Sequence, residues 1–255
     1  MVIQVLLLDN SFGPWNQLYQ NGALKTWCNT TQSEFHIHAY RCRVPKFENS
    51  SKFANRLLIS RYGRHLWRPI NSILARKRPK TQEQDHVIQV DLPEIWSSIA
   101  IKTISALEYV DSNYDYDYIL RANASCYINF PALLKTIAKS TEVINYGGPV
   151  ISSKKFVSGW GILLSKEAVQ ILIEAQWNMW YADFDDEVIG KILSKSGINP
   201  IALPYYEIRD VSDILNIDPQ SLKETAFFRL KAMRNFQRID SELMLALHQV
   251  LDNGT

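Results

Sequence analysis

Strand-length apolar runs alternate along the chain with segments whose apolar residues recur at helical spacing. Val2 to Asp9 reads as a buried strand, ended by the turn residues Asn10-Ser11-Phe12-Gly13-Pro14. Trp15 to Trp27 reads as a helix, Glu34 to Tyr40 as a strand, Val87 to Val90 as another, and the polar stretch Pro79 to Gln84 as a mobile loop. Ile95 to Val110 predicts a helix with Ile99, Thr103, Ala106 and Val110 on one face. After the short buried run Tyr118-Ile119-Leu120, Pro131 suits the first turn of a helix running to about Ala138. Glu142 to Tyr146 and Lys155 to Leu164 are expected strands, and Ser165 caps a helix through Ala175. Asp183 or Asp185 opens a helix that Gly197 closes, and Ser241 to Val250 is the last helix. Strands alternating with helices argue for a mainly parallel α/β sheet flanked by helices.

A length of 255 residues with 46% hydrophobic composition allows one large core, so residues 1–255 are read as a single domain. The net charge of +2 hides an asymmetry. Residues 41–80 hold 12 Lys or Arg and one acid, Glu48, leaving 16 basic against 25 acidic residues elsewhere, about nine excess negative charges. Apolar residues at helical spacing run through this block, so a basic helical insertion is expected at about 41–84. It fits a solvated insertion or contact with an anionic membrane surface, while nucleic acid is not expected because few aromatics interleave the charges. No apolar run approaches the roughly 20 residues that span a bilayer. Cys28, Cys42 and Cys126 fit neither a zinc spacing nor a disulfide framework. A cytoplasmic protein is expected, with peripheral contact at the inner membrane surface as the extension. His36 and His38 share one face of a strand without a visible third ligand, so a packing role is expected rather than a metal site.

The candidate chemistry begins at Tyr118-Ile119-Leu120-Arg121-Ala122-Asn123-Ala124-Ser125, a buried run followed at once by a small polar cluster. The carboxyl end of a strand in an open α/β sheet is where ligands usually sit. The segment resembles the strand and Asp-x-Asp turn of the fringe and β-1,3-galactosyltransferase superfamily of GT-A glycosyltransferases, with Asn123, Ala124 and Ser125 where three aspartates would be. Arg121-Ala122-Asn123-Ala124-Ser125 is similar to a soluble branch with an Arg-Thr-Asn-x-Ser turn. Gly22-Ala23-Leu24-Lys25-Thr26-Trp27, Trp96 to Thr103, Phe156 to Ser165 and Asp185-Asp186-Glu187-Val188-Ile189-Gly190 resemble further motifs of that superfamily in the same order.

The resemblance implies a GT-A-like fold and an inverting glycosyltransferase that moves a sugar from a nucleotide-sugar, a UDP-sugar by default, to a glycan or other hydroxyl acceptor. It places the catalytic base in the Asp185-Asp186 pair, with Asp186 favoured; the structural alternative is that both complement the helix dipole. It puts Asn123, Ser125, Arg121, Lys25, Thr26, Trp27 and Lys102 near the donor. Leu24 stands where the superfamily has an arginine, and Arg121 suits a salt bridge as well as a ligand contact. Gly159, Trp160 and Gly161 would let a sugar approach closely and stack, or else form a strand bulge around a core tryptophan. Because Asn123 and Ser125 bind a hard divalent cation poorly, no metal ligand and no cofactor beyond the donor are expected. Arg229 and Lys231, alternate residues of an extended segment, would balance the leaving diphosphate instead. The same loss of carboxylates fits a catalytically inactive carbohydrate- or nucleotide-binding protein.

Overall fold

In a computed structural model that describes residues 1–10, 13–29, 32–43, 79–94, 98–151, 156–179, 184–234 and 237–252, β1 (Ile3–Leu8) forms the centre of the molecule. Its alternation splits the core in two. Ile3, Val5 and Leu7 enter one cluster with Trp27, Phe35 and Phe130, and Leu6 enters the other with Tyr40, Ile88 and Ile101. A strand buried on both faces needs neighbours on both edges. β2 (Phe35–Arg43) and β5 (Tyr118–Asn123) supply them, both parallel, with Leu8 opposite Tyr40 and Asn123.

The outer strands on one side are β4 (Val87–Pro93), parallel to β2, and β3 (Thr81–Gln84), antiparallel to β4. On the other side β10 (Gly161–Ser165) runs antiparallel to β5, followed by β7 (Tyr146–Gly148) and β11 (Ile201–Ala202). The resulting eight-stranded sheet has the order β11-β7-β10-β5-β1-β2-β4-β3 and is parallel through its centre, as expected. A second sheet, β12 (Tyr205–Ile208), β13 (Phe227–Leu230) and β6 (Cys126–Ile128), brings the carboxy-terminal region onto the segment that follows β5. The pattern of the sequence does not announce this sheet.

Several expected boundaries move. The helix expected over Trp15 to Trp27 is α1 (Gly13–Asn21) followed by two short 3-10 turns, Ala23–Lys25 and Trp27–Asn29. It breaks at Gly22, where a Cβ would lie 2.7 Å from the Leu18 carbonyl oxygen and 2.8 Å from Met244 Sδ. The stretch expected as a mobile loop carries β3, an edge strand of polar residues. The strand expected over Glu142 to Tyr146 begins only at Tyr146, and the one expected over Lys155 to Leu164 is two short strands, Phe156–Val157 and β10.

Among the helices, α2 (Ile99–Asn113) covers one face of the sheet, and α3 (Phe130–Lys139) starts with Asn129 accepting from the Ala132 N–H. Ser165 caps α4 (Lys166–Glu174), α5 (Asp185–Lys195) carries three acids in its first turn, and α6 (Asp240–Asp252) closes the described chain. Residues 44–78, most of the basic block, lie outside the described residues, as do Asp183 and residues 95–97. No helix among the described residues is long and apolar enough to cross a membrane. No disulfide joins the three cysteines, and burial pushes each thiol well up, away from nucleophilic chemistry.

Candidate active site

A cavity of about 580 Å³ opens at the carboxyl ends of β1 and β5, walled by Leu8, Asn10, Trp15, Asn123, Trp160 and the first turn of α5. Parallel strands deliver their last residues to this edge, so the polar ends of two apolar runs converge there. Arg121, Asp185, Asp186, Gly159 and Arg229 complete the part that carries charge.

Arg121 enters from β5 and is almost wholly buried. Its Nη2 lies 2.6 Å from Asp185 Oδ2, and its Nε donates to the Tyr40 hydroxyl at 3.1 Å. Thr103 Oγ1 donates to Asp185 Oδ2 at 2.8 Å and sits 3.0 Å from the Tyr40 hydroxyl. Both hydroxyl donors in this ring are thereby assigned. Arg121 gives to Tyr40, Tyr40 to Thr103, and both Thr103 and Arg121 to Asp185. Burial opposes the charge of Arg121, but Asp185, Tyr40 and Asp186 together more than offset it and raise the guanidinium pKa. Burial likewise raises the Tyr40 phenol and keeps it protonated.

Asp186 has a different environment. Its Oδ2 accepts from the Gly159 N–H at 2.9 Å and its Oδ1 from the Glu187 N–H at 2.8 Å, with no cation bound directly among the described residues. Burial, helped by the Asp185 charge, raises its pKa against the pull of the Gly159 N–H and Arg121. Two adjacent acids at one helix start therefore diverge, one neutralised in the wall and the other turned to the cavity. Gly159 makes the approach possible, because a Cβ there would lie 2.8 Å from Arg121 Nη1 and 3.2 Å from Asp186 Oδ2.

The Asn123 turn closes on itself. Asn123 Oδ1 accepts from both the Ser125 N–H at 3.0 Å and Ser125 Oγ at 2.9 Å, so the oxygen that would face a cation is committed. Its amide N–H donors make no hydrogen bond among the described residues. Ser125 is 6% exposed and does not line the cavity. Trp160 does line it but is only 4% exposed, edge-on to Tyr205 with ring centroids 5.4 Å apart, which makes it a wall rather than an open stacking platform. Gly161 lies under the Phe227 ring, which a Cβ would meet at 2.6 Å.

The structure separates the remaining expected donor residues. Arg229 reaches the cavity from β13, 6.0 Å from the Trp160 ring centroid, with Nη1 3.3 Å from Glu207 Oε1. Lys231 lies beyond the strand end, exposed and outside the lining. Lys102 is fully buried and serves the wall. It donates to Glu94 Oε1 at 2.6 Å and to the Asp9 carbonyl at 3.1 Å, and Glu94 raises its pKa above the depression that burial alone would cause. Thr26 and Trp27 line a separate cavity of about 480 Å³ with Tyr127 and His248, and Lys25 is exposed on the surface. A sequence reading misses Asn10, Trp15 and Glu94, although Asn10 follows directly on the first apolar run.

A divalent cation does not fit this donor set. Asn123 Oδ1 is used within its turn, Asp185 is paired with Arg121, Glu94 is paired with Lys102, and among the described lining residues Asp186 alone remains as a carboxylate without a cationic partner in contact.

No protein-family model matches the chain, and no curated protein matches its sequence. Among solved structures it is similar to the galactosyltransferase LgtC in complex with donor and acceptor sugar analogs, at 11% identity over 96% of this chain and 95% of that one, with a TM-score of 0.50. It is also similar, with a TM-score of 0.44, to the apo form of the glycosyltransferase GlyE from Streptococcus pneumoniae TIGR4, at 13% identity over 99% of this chain and 63% of that one. The likeness to LgtC is one of fold, so the chain has a mixed α/β, GT-A-like architecture whose candidate site lies at the carboxyl edge of the sheet.

Proposed function

We propose that the chain is a nucleotide-sugar-dependent glycosyltransferase that inverts the anomeric centre and works without a divalent metal. The observation that carries this reading is Asp186, a carboxylate with a raised pKa facing a cavity beside Asn123, Trp160 and Arg229. The GT-A-like fold supports a nucleotide-sugar as donor, and the superfamily resemblance favours a UDP-sugar and a hydroxyl acceptor on a glycan.

In this reading the acceptor hydroxyl gives its proton to an Asp186 oxygen as its own oxygen bonds to the anomeric carbon. The bond from that carbon to the diphosphate oxygen breaks, and its electron pair leaves with the nucleoside diphosphate. One uncommitted carboxylate among the described lining residues suits this one displacement, because a double displacement needs a nucleophile as well as a base. Arg229 faces the leaving charge, and the Asn123 amide donates to the donor's ribose or phosphates. Asp185 and Arg121 hold the first turn of α5 in place.

The test is calorimetric titration with UDP and other nucleoside diphosphates, with Mn²⁺ and again with EDTA, followed by assay of UDP-sugar turnover with an acceptor panel. Binding that persists in EDTA, with turnover, supports the reading. Binding only with Mn²⁺ refutes metal independence, and binding without turnover on any acceptor favours the inactive binding protein.

A further inference from the structure

At the amino-terminal ends of β1 and β4, away from the candidate active cavity, His38, Glu83 and His86 converge. One ligand atom from each lies within 4.8 Å of the others. We propose that these three side chains form a binding site for a zinc-type divalent cation.

The hydrogen bonds around His38 point to a cation. Gln4 Nε2 donates to the Asp115 carbonyl at 3.0 Å, which fixes the amide and turns Oε1 towards His38 Nε2, 2.9 Å away. An oxygen without a proton there requires Nε2 to carry the hydrogen. Nδ1 then faces Glu83 Oε1 at 2.7 Å, and the other carboxylate oxygen, Oε2, is already the acceptor for the Tyr114 hydroxyl at 2.5 Å. Nδ1 and Oε1 thus converge on one point, which a proton fills at 2.7 Å and a metal cation fills once the two atoms part slightly. The surroundings match those of a metal-binding histidine and carboxylate. The second ring nitrogen donates to a carbonyl oxygen, and the second carboxylate oxygen is hydrogen-bonded.

The backbone adds an independent observation. Asp85 and His86 form the two-residue turn of the β3–β4 hairpin, both left-handed with φ of 51° and 60°. Asn-Gly or Asp-Gly is the usual solution there, and a histidine in this conformation is strained. The turn is pinned by the Ala39 N–H, which donates to the His86 carbonyl at 3.0 Å, and it presents an exposed imidazole beside the buried His38 and the half-buried Glu83.

Two imidazoles and one carboxylate suit zinc and its neighbours among the transition metals and not Mg²⁺ or Ca²⁺, which prefer all-oxygen sites. Tetrahedral zinc holds such ligand atoms about 3.3 Å apart, so His38 and Glu83 open slightly and His86 swings in by rotation of its exposed side chain. Water takes the fourth position. The ion would tie the edge hairpin β3–β4 to β1 and β2. This proposal is independent of the transferase reading.

The experiment is calorimetric titration of the untagged, metal-stripped chain with Zn²⁺, with Co²⁺ absorption as a spectroscopic check and Mg²⁺ as the negative control. One Zn²⁺ per chain is expected, with a tetrahedral Co²⁺ spectrum and a raised Tm. His86→Asn keeps a residue that tolerates the turn and is expected to weaken Zn²⁺ binding at least tenfold, without lowering the Tm of the metal-free chain. His36→Asn is expected to leave binding unchanged. Absence of stoichiometric Zn²⁺ binding would make the His38–Glu83 contact a proton-mediated ion pair and overturn the proposal. Binding insensitive to His86→Asn, or shared with Mg²⁺, would overturn it as well.

Discussion

Arg121 and Asp185 form a buried ion pair, 2.6 Å from Nη2 to Oδ2, that joins the central strand β5 to the first turn of α5 beside Asp186. Tyr40 and Thr103 close the ring from β2 and α2, so four elements meet at one neutralised carboxylate. The catalytic reading of Asp186 depends on this pair, because among the described lining residues it leaves Asp186 as the acid without a counterion in contact.

Asp185→Asn is therefore expected to destabilise the fold by about 3–5 kcal/mol, since it leaves the Arg121 charge buried and uncompensated. Urea denaturation measures this directly. Replacing both partners together, Arg121→Met with Asp185→Leu, is expected to cost less than the sum of the single changes. Additive losses would mean that the two groups do not act as a pair.

Asp186→Asn separates catalysis from stability. Loss of a general base is expected to lower kcat by about 10²–10⁴-fold with little change in UDP affinity. Burial raises the Asp186 pKa above its unfolded value, so its ionised form is disfavoured by folding. Stability from this group is thus present below the unfolded pKa and lost as pH rises through the folded one. At neutral pH the asparagine variant is consequently expected to melt no lower than the parent. The acidic limb of the kcat/KM profile is expected to lie above the usual carboxylate range, with activity rising as Asp186 loses its proton. A limb in the ordinary range would place the base elsewhere.

Gly159→Ala tests the close approach at the base. The added Cβ would lie 2.8 Å from Arg121 Nη1 and 3.2 Å from Asp186 Oδ2, so one or both must move. A displacement of this size beside a catalytic group is expected to reduce kcat by on the order of 10²-fold. The same change at Gly197, whose Cβ would meet nothing within 4 Å, touches no catalytic group and is expected to affect stability alone, because φ there is +83°. Parallel kinetics and thermal melts distinguish the two variants.

The central sheet is legible in the sequence because its strands are buried on both faces and read as continuous apolar runs, as in Val5-Leu6-Leu7 and Tyr118-Ile119-Leu120. The polar residues at the ends of those runs point to the cavity for the same reason. β3 is hidden because Thr81-Gln82-Glu83-Gln84 is an edge strand with one neighbour and no apolar alternation. Gly22, where α1 breaks, packs so close to Met244 of α6 that a Cβ there would lie 2.8 Å from its Sδ, a contact that no local pattern records. The second sheet pairs Phe228 with Tyr127, about a hundred residues apart, and this pairing takes Arg229 to the cavity. Thr26 and Trp27 lie in a motif at the expected place in the chain, yet the two 3-10 turns put them on another cavity. Motif order follows the chain, while side-chain direction follows packing.

The last prediction concerns the leaving diphosphate. Alternate residues of an extended segment share a face, which would direct Arg229 and Lys231 together at one anion. β13 ends at Leu230, however, and the Lys231 N–H is engaged by the Ile208 carbonyl at 3.0 Å, with its side chain exposed outside the cavity. Arg229 alone lines the site, and Glu207 holds its Nη1 at 3.3 Å. Arg229→Ala is accordingly expected to weaken UDP binding at least tenfold, and Lys231→Ala to change it less than twofold. Glu207→Gln removes the competing carboxylate while keeping the side-chain length, so it is expected to tighten UDP binding and to increase its sensitivity to salt, because a freed guanidinium meets the phosphates. Calorimetry of the three variants in EDTA, at two salt concentrations, measures each effect. A larger loss with Lys231→Ala than with Arg229→Ala would show that the carboxy-terminal strand extends past Leu230 when the donor binds, and would return the lysine to the diphosphate site.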